Sequence, residues 1–356
     1  MLVPQRFGKY TLLDKIAEGG MAEIFLALED TPHAGRRFVI IKRIRPEHAD
    51  DPDFQAFFLS EGRVSLQCAH PNLPQIYELD RVRGVYYLAM ELIRGHTLLQ
   101  YIRAAAGRGG QATVASIATV GLGVAAGLEH AHGLRDVDGT PLNVVHRDVS
   151  PQNVLIDAAG TVKLIDFGVA RSAVQAHRTR TGVVKGKFSY LAPEQLEGRP
   201  PPDPRADLFA LGVVLYECFT ARPLFRGRSD AQTIQNIRAA PIRDLASVRD
   251  DVPRTLADVI HRALERDPND RFASATEMLA ALDDAARRAG LPTSARKLRD
   301  EVTASCGTPA RPEGYLERAT GALSADPKSP TFAELISPEL ATRDPELLHF
   351  LRQAGG

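Results

Sequence analysis

Cysteine is scarce in this sequence, with three residues among 356. Cys68, Cys218 and Cys306 lie far apart, and none belongs to a Cys-x-x-Cys pair. Because disulfide frameworks and cysteine-based zinc sites need several cysteines at close spacing, this usage argues against both. It fits a protein of a reducing compartment.

A net charge is also lacking, since 44 lysine and arginine residues balance 44 aspartate and glutamate residues. A chain without excess positive charge has no overall field that favours nucleic acid or an anionic membrane, so we expect no nucleic-acid partner. With 44% hydrophobic and 25% charged residues, the chain has the composition of a soluble globular protein that buries one large core or two smaller ones.

Long apolar runs are missing as well. The first six residues lack the apolar core of a signal peptide. The longest uncharged run, residues 109–128, carries polar residues, and its larger side chains recur at helical spacing. This pattern predicts a buried helix rather than a membrane span. We therefore expect a cytoplasmic protein.

Polar residues cluster in two short segments on either side of a predicted β-hairpin. The first segment is His146–Asn153, with the sequence HRDVSPQN, and the second is Asp166–Gly168. Two short apolar runs, residues 154–156 and 162–165, lie between them and flank a turn. This arrangement is typical of two strands joined by a tight turn, and we expect it to bring the two polar segments together.

Three side chains in these segments have the chemistry that phosphoryl transfer needs. Asp148 can accept or orient a hydroxyl proton. Asn153 and Asp166 offer hard oxygen ligands suited to Mg²⁺ on the phosphates of a nucleotide. The two segments resemble the catalytic loop and the Mg²⁺-binding loop of the eukaryotic-type protein kinases. A chance occurrence of Asp-Phe-Gly is the alternative, and the His-Arg-Asp and Asn ahead of it weigh against chance.

A lysine and a glutamate stand on apolar faces earlier in the chain. Residues 38–44 alternate as a strand in which Lys42 shares a face with apolar side chains. From Phe54 the pattern is helical, and Glu61 falls on the apolar stripe. Because an unpaired charge on an apolar face is costly, we predict an ion pair between Lys42 and Glu61. It resembles the kinase lysine–glutamate pair, in which the lysine also holds nucleotide phosphates. A purely structural salt bridge is the alternative.

A turn of small residues joins two strands predicted within residues 10–27. Gly19 and Gly20 lie in this turn, where the backbone can approach a ligand closely. The turn is similar to the kinase glycine loop, although Ala17 and Ala22 replace the first and third glycines of Gly-x-Gly-x-x-Gly. An ordinary hairpin is the alternative.

The resemblance also implies the nucleotide contacts. Met90 would be the gatekeeper behind the adenine pocket, and the backbone of residues 91–93 would hydrogen-bond the base. The cofactor-binding residues that the resemblance implies are Ile16, Gly19, Gly20, Ile24, Lys42, Met90, Glu91, Leu92, Ile93 and Leu155.

Later motifs continue the kinase pattern. Glu194, in Ala-Pro-Glu, matches the glutamate that pairs with a late arginine, here Arg271. Asp207 resembles the aspartate that braces the catalytic loop from a buried central helix. The segment from Asp166 to Glu194 has the polar composition of a mobile loop.

Two departures from the pattern lie near Asp148. Ser150 stands where serine/threonine kinases usually have a lysine, and Lys187 stands where they usually have a threonine. We hypothesise that the two have exchanged roles, with both acting at the catalytic site; a lost lysine and a solvated Lys187 are the alternative. Thr179 and Thr181 have a spacing similar to the paired loop threonines of bacterial kinases, where a phosphate could pair with Arg147. An unmodified basic loop is the alternative there.

Together these motifs cover roughly residues 10–285 and predict an α+β, two-lobed kinase fold with an N-lobe at about 10–92 and a helical C-lobe at about 95–285. The chain thus resembles a bacterial, Hanks-type serine/threonine protein kinase. That resemblance implies transfer of the γ-phosphoryl of ATP, bound with Mg²⁺ in the cleft, to Ser or Thr hydroxyls of a protein substrate, with activation by loop autophosphorylation.

Two other functions compete with this interpretation. A nucleotide-binding pseudokinase scaffold would be favoured by loss of Lys42, Asp148, Asn153 or Asp166, and all four are present. A small-molecule kinase is disfavoured because such enzymes usually lack the segment closing in Ala-Pro-Glu. Residues 286–356 carry no kinase motif and leave a regulatory tail, a docking arm and a packed helical appendage open. The sequence does not indicate an oligomeric state.

Overall fold

The computed structural model describes residues 4–31, 35–167, 188–196 and 203–309. The chain divides into two units; the described residues of the first fall within 4–66 and 75–92, and those of the second fall within 67–74 and 93–309. The first unit is rich in strands and the second is mainly helical. The predicted α+β fold class is therefore confirmed.

One boundary differs from the prediction. Residues 67–74, expected in the N-lobe, belong to the second unit. Asn72 explains this, because its carbonyl accepts a hydrogen bond from the Leu164 amide at 2.9 Å and its side chain donates to the Val162 carbonyl at 2.7 Å. These bonds tie the segment to the hairpin that follows the catalytic motif.

In its described residues, the first unit has six strands and one α-helix. They are β1 (Gln5–Phe7), β2 (Tyr10–Glu18), β3 (Ala22–Thr31), β4 (Gly35–Ile44), α1 (Pro52–Gln67), β5 (Ile76–Val82) and β6 (Val85–Glu91). The strands form one antiparallel sheet in the order β1-β2-β3-β4-β6-β5.

Alternation along the strands of this sheet makes two apolar clusters. One contains Tyr10, Phe25 and Ile41 among other buried residues. The other contains Ile44 and Leu88 and includes Phe58 from α1. Successive side chains of a strand point to opposite faces of the sheet. The two-residue alternation of apolar side chains that predicted these strands therefore also separates the two clusters.

The described residues of the second unit form three short strands and nine α-helices. The strands β7 (Gly95–Thr97), β8 (Val154–Asp157) and β9 (Val162–Leu164) make an antiparallel sheet in that order. The helices are α2 (Leu98–Gly107), α3 (Val114–His132), α4 (Pro193–Leu196), α5 (Arg205–Thr220), α6 (Asp230–Ala239), α7 (Leu245–Val248), α8 (Arg254–Ala263), α9 (Ala275–Arg288) and α10 (Ala295–Cys306).

The helix α3 lies at the centre of this unit. It contains the uncharged run expected to be a buried helix, and it packs against α9 and α5. Within the described part of the chain, α3 is the one helix whose length and apolar composition would also permit a membrane span, and 61% of its most apolar window is buried. Its apolar side chains thus have partners inside the unit.

The helix α10 lies in the region for which the sequence left three alternatives open. It packs against α2, α3 and β8, so residues 295–306 are a packed helical appendage. Residues 310–356 are outside the described residues.

Candidate active site

The catalytic loop is held by a buried histidine. His146 is fully buried, and its Nδ1 accepts a hydrogen bond from the Asp148 amide at 3.3 Å. Its Nε2 therefore carries the proton and donates to the Ile165 carbonyl at 3.2 Å. Burial lowers the pKa of His146, which keeps this imidazole neutral. The histidine thus links the backbone at Asp148 to the backbone beside Asp166.

An aspartate on the buried helix α5 anchors the same loop. Asp207 accepts hydrogen bonds from the backbone amides of His146 at 2.7 Å and Arg147 at 2.8 Å. It also accepts one from Nε2 of His132 at 2.8 Å. Although burial alone would raise the pKa of Asp207, these hydrogen bonds and nearby charges hold it below its usual value. The predicted brace is confirmed.

The hairpin β8–β9 places Asn153 and Asp166 at its base. The Asn153 carbonyl accepts a hydrogen bond from the Ile165 amide at 2.8 Å, and the Asn153 side chain donates to the Asp148 carbonyl at 2.9 Å. Asp166 has a φ of +60°, a left-handed conformation that is uncommon outside glycine. Such conformations persist where surrounding structure enforces them, often at functional sites.

The donor set at this base fits Mg²⁺. Within the described ranges, no three His, Cys, Asp or Glu side chains are grouped closely enough to hold a metal on their own. Mg²⁺ does not need such a cage, since it binds one or two protein oxygen ligands together with phosphates and waters. A carboxylate from Asp166 and an amide oxygen from Asn153 are ligands of that kind.

The predicted ion pair in the first unit is confirmed. Nζ of Lys42 lies 2.5 Å from Oε1 of Glu61, and the two side chains are 13% and 8% exposed. Lys42 is on β4 opposite Leu88, and Glu61 is on the buried side of α1. A pair this far from solvent needs both members, because either charge alone would be buried without compensation.

The remaining predicted nucleotide contacts are divided between the units. The glycine turn is closed by a 2.8 Å hydrogen bond from the Gly19 amide to the Ala22 carbonyl. Met90 packs against the apolar cluster that contains Phe58, and the Glu91 amide donates to the Gln75 carbonyl at 2.9 Å. Residues Ile16, Gly19, Gly20, Ile24, Lys42, Met90, Glu91 and Leu92 lie in the first unit, and Ile93 and Leu155 lie in the second.

The pair formed by Glu194 and Arg271 has the predicted partners. Arg271 is 2% exposed and forms two bonds to the Glu194 carboxylate, at 2.7 and 2.8 Å. Its remaining N–H groups donate to the carbonyls of Arg205, Glu265 and Arg266. All five donors of the guanidinium are therefore used.

Several predicted site residues cannot be placed. Gly168, Thr179, Thr181 and Lys187 lie outside the described residues. Ser150 is buried, and its carbonyl accepts a hydrogen bond from the Asn153 amide at 2.9 Å. The proposed exchange of roles between Ser150 and Lys187 stays a prediction.

Sequence reasoning missed two contributors to the site. His132, the last residue of α3, bonds Asp207. Asn72 holds the edge of β9 through both its backbone and its side chain. For His132, the available signal in the sequence was an apolar helix that ends in a histidine. Asn72 had no such signal, because its side-chain partner lies 90 residues away.

Comparison with known proteins identifies relatives among the protein kinases. Residues 10–282 match the protein kinase domain model. The chain is 40% identical over 284 residues to the tyrosine-protein kinase MasK of Myxococcus xanthus, covering 79% of this chain and 44% of that protein. It is 31% identical over 327 residues to the serine/threonine-protein kinase PrkC of Bacillus subtilis, covering 92% and 48%. The chain thus spans less than half the length of these relatives.

A solved structure shows the same fold. The kinase domain of Mycobacterium tuberculosis PknI superposes with a TM-score of 0.60 at 24% identity, covering 80% of this chain and 99% of that one.

Proposed function

The chain belongs to the protein kinase family, and from that premise we propose that it transfers the γ-phosphoryl of ATP to hydroxyl groups of proteins. One observation carries the proposal: Asp148 and the Asn153–Asp166 hairpin are held together by His146 and Asp207, and the Lys42–Glu61 pair is formed. A protein that only bound nucleotide would not need a braced proton acceptor.

The residues have distinct roles in this reaction. Asp148 accepts or orients the proton of the acceptor hydroxyl. Asn153 and Asp166 would hold Mg²⁺, which when bound neutralises phosphate charge. Lys42, oriented by Glu61, holds phosphate oxygens as a point charge. The neutral His146 keeps the catalytic loop in register without competing for the proton.

Serine and threonine are the proposed acceptors. Pro151 after the catalytic aspartate resembles serine/threonine kinases, and several relatives carry that name. One relative is named a tyrosine kinase, so tyrosine is the second candidate.

A transfer assay tests the function. The full chain would be incubated with labelled ATP and Mg²⁺, alone and with a generic protein acceptor, beside its Asp148→Asn variant. Protein labelling that the variant abolishes is the expected result. Nucleotide binding without labelling would instead identify a pseudokinase, and labelling of small molecules alone would identify a small-molecule kinase.

We also propose the exchange of roles at Ser150 and Lys187. A cation and a hydroxyl beside Asp148 would be kept, although each comes from the other's usual position. Loss of the Lys187 ammonium should then cost about 10²-fold in turnover, as for other transition-state donors. The double change Ser150→Lys with Lys187→Thr should restore much of this loss. A Lys187→Ala enzyme with unchanged turnover would contradict the exchange.

Activation by phosphorylation of Thr179 or Thr181 is a further part of the proposal. The support is the basic loop sequence around them and Arg147 beside Asp148. A phosphate gains charge-assisted hydrogen bonds from a guanidinium. Mass spectrometry of active enzyme should find at least one of the two threonines phosphorylated, and finding neither would remove the idea.

The proposed catalytic domain spans residues 10–285, and the proposed location is the cytoplasm. Cys68 and Cys218 are buried and form no disulfide, and burial raises the pKa of Cys68 to about 12, so this thiol is unreactive. Cell fractionation checks the location.

A further inference from the structure

The helix α10 lies outside the region that matches the kinase domain, yet it contacts the hairpin that carries the magnesium ligands. The turn between β8 and β9 is pressed against the start of α10. Gly160 in this turn has a φ of +90°, and a Cβ there would lie 1.9 Å from the Ala295 carbonyl oxygen. Only glycine permits so close an approach.

The other end of α10 is tied to the neighbouring strand. Nε2 of His96, on β7, donates to the Gly307 carbonyl at 3.0 Å. His96 is paired with Ile156 of β8. The helix therefore contacts the three-stranded sheet at two points, one at the hairpin turn and one at its edge strand.

A carboxylate near the middle of α10, that of Glu301, also ties the helix to the rest of the unit. Glu301 accepts hydrogen bonds from the Thr113 amide at 2.8 Å, the Thr113 hydroxyl at 2.7 Å and the Ser116 hydroxyl at 2.6 Å. It also accepts one from the Tyr101 hydroxyl. Thr113 is the N-cap of α3, where the helix dipole favours a negative charge.

The protonation of Glu301 agrees with this geometry. Burial alone would raise the pKa of Glu301, but the hydrogen bonds from Ser116, Tyr101 and Thr113 hold it below its usual value. The residue is therefore an anion at neutral pH, when its donors are all engaged.

The hairpin that α10 contacts is short. Asn153 directly precedes β8, and Asp166 follows β9 after one residue, Ile165. The opposite edge of β9 is held by Asn72. Strands of only four and three residues therefore join the turn at Gly160 to the two proposed metal ligands.

We propose that α10 is a positioning element for the hairpin that holds Mg²⁺, and that Glu301 is the positioning residue that keeps it in place. This inference rests on the proposed function, since it assigns Mg²⁺ to Asn153 and Asp166. It assigns a role to a helix that lies outside the kinase motifs.

The test compares Glu301→Ala with Asp300→Ala in the full chain. Asp300 is the matched control because it is the next residue of the same helix, carries the same charge, is 57% exposed and bonds the neighbouring Arg299. Calorimetry would measure the dissociation constant of ADP with Mg²⁺ and with a chelator. Circular dichroism would first establish that each variant is folded at the assay temperature.

For Glu301→Ala we expect the Mg²⁺-dependent gain in ADP affinity to fall on the order of two- to thirtyfold, as for changes along coupled contact networks. Metal-free ADP affinity should stay unchanged, and Asp300→Ala should behave as the wild type. Hydrogen exchange at residues 154–164 should become faster in Glu301→Ala alone. The proposal would be overturned if the Mg²⁺-dependent gain in ADP affinity of Glu301→Ala lay within twofold of that of Asp300→Ala.

A milder substitution keeps the test decisive if Glu301→Ala fails to fold. Ser116→Ala removes one of the donors to Glu301, so it should reduce the Mg²⁺-dependent gain in the same direction by less; an unchanged gain in this folded variant overturns the proposal too. Measurements on the wild type distinguish a failure of the proposed function from a failure of the proposed role of α10. If wild-type protein shows no Mg²⁺-dependent ADP binding, the proposed function fails; if it does and both Glu301 and Ser116 variants match it, only the role of α10 fails.

Discussion

At the scale of single residues, the site depends on buried charges whose hydrogen-bonding groups are paired. Asp207 is 1% exposed and accepts from two backbone amides and a histidine. An ionised group in such a place is stable because the hydrogen bonds compensate for lost hydration. We therefore expect substitutions here to change geometry and stability, and substitutions at Asp148 to change the proposed chemistry.

We predict that Asp148→Asn lowers turnover by about 10²–10⁴-fold, because an amide cannot accept the hydroxyl proton as a carboxylate does. Nucleotide affinity should change little. Asp166→Asn should weaken Mg²⁺-dependent nucleotide binding as well, since it removes a charged ligand. Steady-state kinetics and calorimetry separate the two, and Asp148→Asn turnover within about tenfold of wild type would contradict the assignment.

Arg271→Lys tests the second buried charge. An ammonium has three donors and no planar fork, so it cannot satisfy both Glu194 and the three carbonyls that Arg271 now bonds. We expect the free energy of unfolding to fall by about 2–5 kcal/mol. Urea denaturation followed by circular dichroism measures it. Arg287→Lys, whose side chain is 68% exposed, is the control, and an equal effect of the two changes would refute the argument.

At the scale of elements, close backbone contacts determine how the strands around the site pack. A Cβ on Gly95, in β7, would lie 2.0 Å from the Ile156 carbonyl oxygen of β8. We predict that Gly95→Ala separates these strands and costs at least about 1–3 kcal/mol of stability. Gly107→Ala is the matched control. That glycine ends α2 with no neighbouring atom within 4 Å of its Cβ position, and alanine there should stabilise by up to about 1 kcal/mol. Thermal denaturation should show the two variants shifting in opposite directions.

A glutamate in the sheet of the first unit is bonded by two tyrosine hydroxyls and a lysine. Glu78 accepts hydrogen bonds from the hydroxyls of Tyr10 at 2.5 Å and Tyr87 at 2.7 Å, and pairs with Lys9 at 2.8 Å. Burial alone would raise the pKa of Glu78, but the hydrogen bonds from Lys9, Tyr10 and Tyr87 lower it below its usual value. A lowered folded-state pKa stabilises the fold above the unfolded value of about 4.3, and this contribution is lost as pH falls through the folded pKa.

We therefore predict that stability decreases on acidification below about pH 4 and that Glu78→Gln makes this decrease smaller, because an amide does not titrate. At pH 7 the same variant should be less stable than the wild type. Tyrosine fluorescence during urea unfolding at several pH values measures both effects. Asp80→Asn, an exposed position on β5, is the control, and an unchanged acid slope in Glu78→Gln would contradict the prediction.

At the scale of the whole molecule, the residues of the proposed site are distributed over the two units. Lys42 belongs to the first unit, and Asp148, Asn153 and Asp166 belong to the second. Because the chain has no net charge, we expect no overall field that favours polyanions, and we expect local surfaces to select the substrate.

The hydroxyls of serine and threonine are the acceptors that we expect. A tyrosine hydroxyl stands much farther from its backbone than a serine hydroxyl, so a site that places Asp148 near one acceptor disfavours the other. We expect phosphoamino-acid analysis of the labelled chain and of a generic acceptor to give mainly phosphoserine and phosphothreonine. The Asp148→Asn protein is the background control. Mainly phosphotyrosine would reverse the acceptor assignment.

The sequence alone determined the residue types of the site and most of its elements. His146–Asn153 and Asp166 could be recognised because they resemble the catalytic and Mg²⁺-binding loops of protein kinases, and the strands and α1 could be predicted because burial imposes a period on each. The Lys42–Glu61 pair followed from the cost of leaving a charge on an apolar face. The motifs and the periodicity are properties of single segments. The ion pair follows from two segments that each place a charge on an apolar face.

Only the tertiary structure decided which surfaces meet. Asn72 joins the second unit, His132 bonds Asp207, and Glu301 holds α10 against α2 and α3, across separations of 75 to 200 residues. Periodicity reports which face of an element is apolar, and it does not report which other face covers it. The partners of these polar groups are set by how the helices pack around α3, so no pattern within a single segment contains them.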